Sequence, residues 1–268
     1  MQVEASRRLN TFTLSESFVA GVAHALNSAQ VSCVLWGHCL LRVHGVPTIV
    51  GSLDFVVPDC ELTAAQASLR GHEALQFCRE DESCPDFPVV RLHPPPAYHF
   101  HIESSEVPLN IFPQSEVLWF LPPFGSSLLP TEAGLLPPQY LLSTDQASLP
   151  PRDRPGRGSG VFAHPEDAVV VLKSHVLLEA YMRLFARDSG KQIGSYSMAM
   201  VDYMELYVDE DGFLDVDLLP EPLRTFYKDL KEGDKSVRQW RWDLREALGV
   251  PQVPSEPMSA WYAQSGKQ

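Results

Sequence analysis

Asp54 follows Ser52 by two positions in the run Ser52-Leu53-Asp54-Phe55-Val56-Val57. Side chains two apart on a β-strand share one face, so the pair would point the same way. The carboxylate offers a hard oxygen ligand of the kind magnesium takes, whereas the serine offers only a neutral hydroxyl. Upstream, the apolar run Val31 to Leu35 ends at Trp36-Gly37-His38, and glycine at such a turn lets a ligand approach the backbone closely. A third polar side chain, Asn110, stands in Val107-Pro108-Leu109-Asn110-Ile111-Phe112, and an uncharged amide cannot act as a general base. His99 and His101 share a strand face of their own. With His93 or Glu103 they could bind zinc or iron, although spacing singles out no third ligand. Alternating histidines on a half-exposed strand are otherwise simple surface residues.

These side chains need strands and turns to position them. Thr13 and Glu16 form a T-x-x-E capping box ahead of Phe18, Val22, Ala25 and Leu26, which predicts an amphipathic helix to about Asn27. Val31 to Leu35 and Ser52 to Val57 read as buried strands, with a short helical piece at Cys39 to His44 between them. Thr63 to Arg70 reads as helix closed by Gly71. Val89–Leu92, Tyr98–Ile102 and Val107–Phe112 read as strands, the last two joined through Ser104, Ser105 and Glu106. From Trp119 to Gly160 the chain is rich in proline, glycine and serine and ends in SLPPRDRPGRGSG, which suggests an irregular and flexible connection. A long helix is expected over Pro165 to Arg187, then helices at about Lys191 to Tyr207, Glu221 to Leu230 and Lys235 to Leu248. The expected division is 1–120 for an α/β domain, 121–164 for the connection and 165–268 for a helical domain.

The formal net charge of −13 over 268 residues argues against polymeric nucleic acid as a partner. No apolar run of about 18 residues predicts a membrane span, and MQVEASRRLNTF lacks a secretory apolar core. Cys33, Cys39, Cys60, Cys78 and Cys84 include no CxxC pair, so reduced thiols and a cytoplasmic setting are expected, with Cys33 buried in a strand.

In the order of these motifs, the chain resembles the nucleotidyltransferase superfamily, specifically its minimal and abortive-infection-type members and their uncharacterised fungal relatives. That family sets Gly-Gly or Gly-Ser after a hydrophobic residue, then a short helix and Gly-x-x-Arg-x-Thr-x-Asp-x-Asp. Gly37-His38 stands at the glycine turn and Gly45 at the next glycine. Thr48 replaces the arginine, Val50 the threonine, and Ser52 and Asp54 occupy the two aspartate positions. Asn110 stands where the third carboxylate is expected. Lys173, with Arg187, Asp188 and Lys191, matches the later helical signature.

The resemblance implies an α+β fold, a nucleotidyltransferase-like mixed sheet with flanking helices followed by a helical C-terminal domain. It implies NTP as ligand, Mg2+ on Asp54, and a nucleotide site of Gly37, His38, Lys173 and Lys191 beside the catalytic positions Asp54, Ser52 and Asn110. Losing two of three carboxylates leaves a second metal poorly supported, so weak or lost transferase activity with retained nucleotide or phosphorylated-ligand binding is expected. An active magnesium-dependent enzyme acting on a small-molecule or protein hydroxyl is the alternative, with Glu103 or Asp59 as replacement acids. A scaffold using the proline-rich segment and the Trp240 region, where Arg238 and Arg241 flank Trp240 and Trp242, is a third. Asp209, Asp211 and Asp215 lack the final glutamate of a calcium loop and read as a solvated turn.

Overall fold

The computed structural model describes residues 14–78, 94–103, 105–129 and 136–251. Thr13, Cys84, His93 and the strand expected at 89–92 lie outside the described residues. Helix α1 (Glu16–Ser28) starts at Ser15, whose hydroxyl accepts the Phe18 N–H at 3.1 Å, and it buries Val19, Val22, Ala23 and Leu26. Strand β1 (Val34–Trp36) ends where Gly37 takes a φ of 65° and opens α2 (Gly37–Val43). Cys33 is buried immediately before that strand. Strand β2 (Leu53–Val57) is buried along its length, and α3 (Leu62–Arg70) closes at Gly71. Strand β3 (Leu75–Cys78), absent from the sequence reading, precedes β4 (Tyr98–Ile102), β5 (Leu109–Pro113) and the single turn α4 (Gln114–Val117).

The five strands form one mixed sheet in the order β1-β2-β5-β4-β3. Only β2 and β5 run parallel; the other pairs are antiparallel. A second, two-stranded sheet pairs β6 (Tyr140–Leu142) with β7 (Val170–Leu172). Helices α5 (Ser174–Asp188), α6 (Gln192–Met204), α7 (Leu223–Glu232) and α8 (Val237–Ala247) follow, with π-helical turns at Glu205–Asp209 after α6. The architecture is therefore the expected α+β arrangement of a mixed sheet, flanking helices and C-terminal helices.

One expected helix is corrected. Pro165–Asp167 forms a single 3-10 turn and the run Val169-Val170-Val171-Leu172 supplies β7, so the helix begins only at Ser174. Successive β-branched side chains lose χ1 freedom in a helix and pack well on a pleated strand, and Tyr140–Leu142 provides the partner.

The GRGSG segment is also not loose. Gly158 N–H donates to Gly45 O at 2.7 Å and Gly160 N–H to Arg42 O at 3.0 Å, so the segment caps the carbonyl end of α2. Arg154 and Arg157 both hold Asp211, while Arg152 pairs with Glu16. Asp209 accepts from the Tyr227 hydroxyl and from Lys231. Two of the aspartates expected to form a solvated turn, Asp211 and Asp209, are thus the anions that clamp this segment and α7, while Asp215 accepts the Asp217 N–H of the next 3-10 turn.

Trp240 is an interior residue with 1% exposure; its indole N–H donates to Phe226 O at 2.7 Å and its ring stacks on Phe185. Any docking by this region would therefore fall to other residues of α8. Among the described residues Cys33, Cys39, Cys60 and Cys78 are free thiols, and no helix is long and apolar enough to cross a membrane.

A Cβ at Gly158 would lie 2.6 Å from the carbonyl oxygens of both Arg42 and Val46, neither of which can rotate away. Gly158→Ala is expected to cost about 2 kcal/mol or more in urea denaturation, and Gly125→Ala, where a Cβ meets nothing within 4 Å, about 0.5 kcal/mol or less. Equal stability of the Gly158→Ala chain and the parent would show that the segment is not docked on α2.

Candidate functional site

Strand register sets Trp36, Asp54, Asn110 and His99 side by side on one face of the sheet. The three expected catalytic positions do converge. Ser52 Oγ donates to Asp54 Oδ2 at 2.8 Å and Asn110 Nδ2 donates to Asp54 Oδ1 at 2.9 Å. Asn110 Oδ1 then lies 2.9 Å from His99 Nδ1. An ionised carboxylate can only accept, so Asn110 must turn its amino group to Asp54 and its carbonyl to His99. That orientation puts the His99 proton on Nδ1.

The convergence is sealed from water. Asp54 has no exposed surface and Ser52 is 8% exposed. Tyr181 of α5 packs on Trp36 with ring centroids 5.4 Å apart, so α5 covers this face of the sheet. Tyr196 of α6 reaches the start of α2, its hydroxyl 3.3 Å from His38 Nε2. Gly37 is required here twice over: its φ is positive, and a Cβ would fall 2.3 Å from Asp54 Oδ2. Burial pushes the Asp54 carboxyl up to about 6, against the opposing hydrogen bonds from Asn110 and Ser52. Burial also raises the Tyr181 and Tyr196 phenols far above their ordinary range, with the Asp54 charge adding to both. Burial lowers the His38 imidazole, leaving it neutral near pH 7.

Magnesium does not fit this donor set. It requires near-octahedral oxygen ligation and keeps several waters, whereas both oxygens of the one carboxylate are engaged and backbone lies against Oδ2. The two lysines expected to face phosphates stand at the N-caps of α5 and α6. Lys173 sits half-buried at the N-cap of α5, and Lys191 is an exposed residue 3.6 Å from Asp188 in the turn before α6. Neither ammonium is a hydrogen-bond partner of Asp54, Ser52 or Asn110. Asp59 instead accepts from the Ser115 N–H and hydroxyl at the start of α4, and Glu103 is exposed past the end of β4. Neither replaces a missing acid at Asp54.

The other end of α2 borders a cleft of about 1090 Å3 whose lining includes Arg42, Thr48, Arg152, Arg154, Arg157 and Ser159. Glu16, Asp153 and Asp167 also face it, so its charge is mixed. Among the described residues Arg42 makes no ion pair. Arg154 donates to Asp211 through Nη1 only, and its buried Nε and Nη2 have no hydrogen-bond partner. The sequence reading missed this cleft. The available signal was the cluster Arg152, Arg154 and Arg157, masked by the prolines and glycines around it. Tyr181 and Tyr196 were missed because on apolar helix faces they read as core.

Comparisons with known proteins place few constraints. No protein-family profile matches the chain. No curated protein matches it either. Among solved structures it is similar to the crystal structure of ANT(2")-Ia in complex with adenylyl-2"-tobramycin, at 11% identity and a TM-score of 0.40, covering 82% of this chain and 99% of that one. It is also similar to the solution structure of the antibiotic-resistance factor ANT(2'')-Ia, at 13% identity and a TM-score of 0.31, covering 80% of this chain and 95% of the other.

Because the folded pKa of Asp54, about 6, lies above the ordinary aspartate value of 3.8, this group stabilises the fold fully below about pH 4, and that contribution drains away as pH rises through 6. About two pKa units correspond to about 3 kcal/mol. Urea denaturation of Asp54→Asn should therefore gain about 3 kcal/mol relative to the parent between about pH 4 and pH 7. A difference between the two chains that does not change with pH would contradict the burial of an ionisable Asp54.

Proposed function

We propose that this chain is a divergent nucleotidyltransferase-fold protein that binds a nucleotide or another small phosphorylated ligand and has lost magnesium-dependent transfer. The loss is supported by the Asp54 site itself: one carboxylate, closed to water, hydrogen-bonded on both oxygens and flanked by neutral Ser52 and Asn110. With neither a metal-binding carboxylate cluster nor a general base at position 110, the groups present order the sheet rather than activate a hydroxyl.

Ligand binding is supported by one observation above others, the Arg42 guanidinium that lines the cleft with no ion pair among the described residues. Arg154 adds positive charge to the cleft wall, its guanidinium lying over the Phe213 ring and paired with Asp211. Forked guanidinium donors of this kind match phosphate oxygens. The same short helix thus serves two ends: Gly37 closes against Asp54 and Arg42 opens to the cleft.

Calorimetric titration with ATP, GTP, CTP, UTP and inorganic pyrophosphate, each with and without magnesium, tests the reading. At least one should bind, with an affinity that does not depend on magnesium and that falls about tenfold or more in Arg42→Gln. No radiolabelled nucleotidyl group should appear on any acceptor. Absence of binding by all five compounds would overturn the ligand reading. Nucleotide transfer abolished by Asp54→Asn would overturn the loss of catalysis.

A further inference from the structure

We propose that Cys78, His99 and His101 form a zinc site across β3 and β4 of the five-stranded sheet. The pairing of β3 with β4 places Cys78 directly opposite His99, and His101 follows two residues along β4 on the same face. One ligand atom from each of the three residues lies within 4.8 Å of the others. Zinc bonds of about 2.0–2.3 Å put tetrahedral ligand atoms about 3.5 Å apart, so closure requires a contraction of about 1 Å. Cys78 and His101 are half-buried, and His99 is buried and held by Asn110.

What fixes His99 is the feature that separates this cluster from an ordinary patch of histidines. Its Nδ1 is held by Asn110 Oδ1 at 2.9 Å, and Asn110 is itself oriented by the Asp54 carboxylate at 2.9 Å. Histidine ligands are set in this way in metal sites generally, with one ring nitrogen donating to an oxygen so that the other presents its lone pair to the ion. The tautomer that Asn110 imposes leaves Nε2 as the coordinating nitrogen. The row Asp54, Asn110, His99 and Cys78 then runs across four adjacent strands as one polar line.

The ligand chemistry selects the ion. One thiolate and two imidazoles suit zinc far better than magnesium or calcium, which take oxygen donors. On binding, the Cys78 thiol loses its proton to solvent and its sulfur bonds the ion, and no electron is transferred. Three protein ligands leave a fourth position for water or an exogenous donor. The site involves no residue of the arginine-lined cleft, so it stands or falls separately from ligand binding there.

Cobalt is the probe. The full-length chain, stripped with chelator and desalted, is titrated with Co2+ and then with Zn2+. One equivalent of cobalt should give the visible absorption of a tetrahedral centre together with a thiolate-to-cobalt charge-transfer band, and zinc should remove both. Cys78→Ser should lose the charge-transfer band, His101→Ala should bind at least about tenfold more weakly, and Cys60→Ser, an exposed thiol outside the cluster, should match the parent. Far-ultraviolet circular dichroism of each metal-free chain checks that it is folded. A parent chain that yields no tetrahedral cobalt spectrum, or a Cys78→Ser chain that retains the charge-transfer band, overturns the site.

Discussion

The carboxylate of Asp54 sits where no water reaches it, and that position dictates what can surround it. Taking an ionised carboxylate out of water costs several kcal/mol unless donors replace the lost hydration. Ser52 and Asn110 are those donors, and a second carboxylate at either position would bring like charges together in the same closed space. The constraint reaches further. Gly37 has no side chain because any Cβ would strike Oδ2, and Tyr181 and Tyr196 close the face from α5 and α6 with phenols that stay protonated. The requirement for neutral donors therefore ties four secondary-structure elements to one anion.

Seen this way, Ser52 and Asn110 belong together. Each is a neutral hydrogen-bond donor, and the two meet the same carboxylate at opposite oxygens. A nucleotide cleft over Asp54 would need the helical layer held away from the sheet. Here Tyr181 lies on Trp36 and Tyr196 meets His38, so the layer is shut. What remains open lies at the far end of α2, where the 150–160 segment and its arginines form a wall.

Much of this was legible before coordinates. The Ser52-x-Asp54 spacing and the apolar flanks of Asn110 marked two buried strands, and their parallel pairing brings the three side chains together as the motif order implied. Other parts were not legible, for identifiable reasons. Val169 to Leu172 looked like the start of a helix because its strand partner, Tyr140–Leu142, lies inside a proline-rich stretch with little period of its own. Leu75–Cys78 is too short to announce itself, so the nearness of Cys78 to His99 depended on a pairing that no local pattern reveals. The glycines of GRGSG suggested slack, whereas Gly158 and Gly160 are there because neighbouring carbonyl oxygens leave no room for a Cβ. Burial of Asp54 was the largest omission, since a lone aspartate in an apolar strand reads equally as a ligand at a cleft or as an interior anion.

The carboxyl-carbon NMR signal of Asp54, followed as a function of pH with and without magnesium, tests the central claim most directly. A closed, doubly hydrogen-bonded carboxylate should titrate with a midpoint near 6, and magnesium should leave both the midpoint and the shift unchanged. A midpoint near the ordinary aspartate value of about 3.9, or a signal displaced by magnesium, would mean that Asp54 faces an open metal site and would contradict the account.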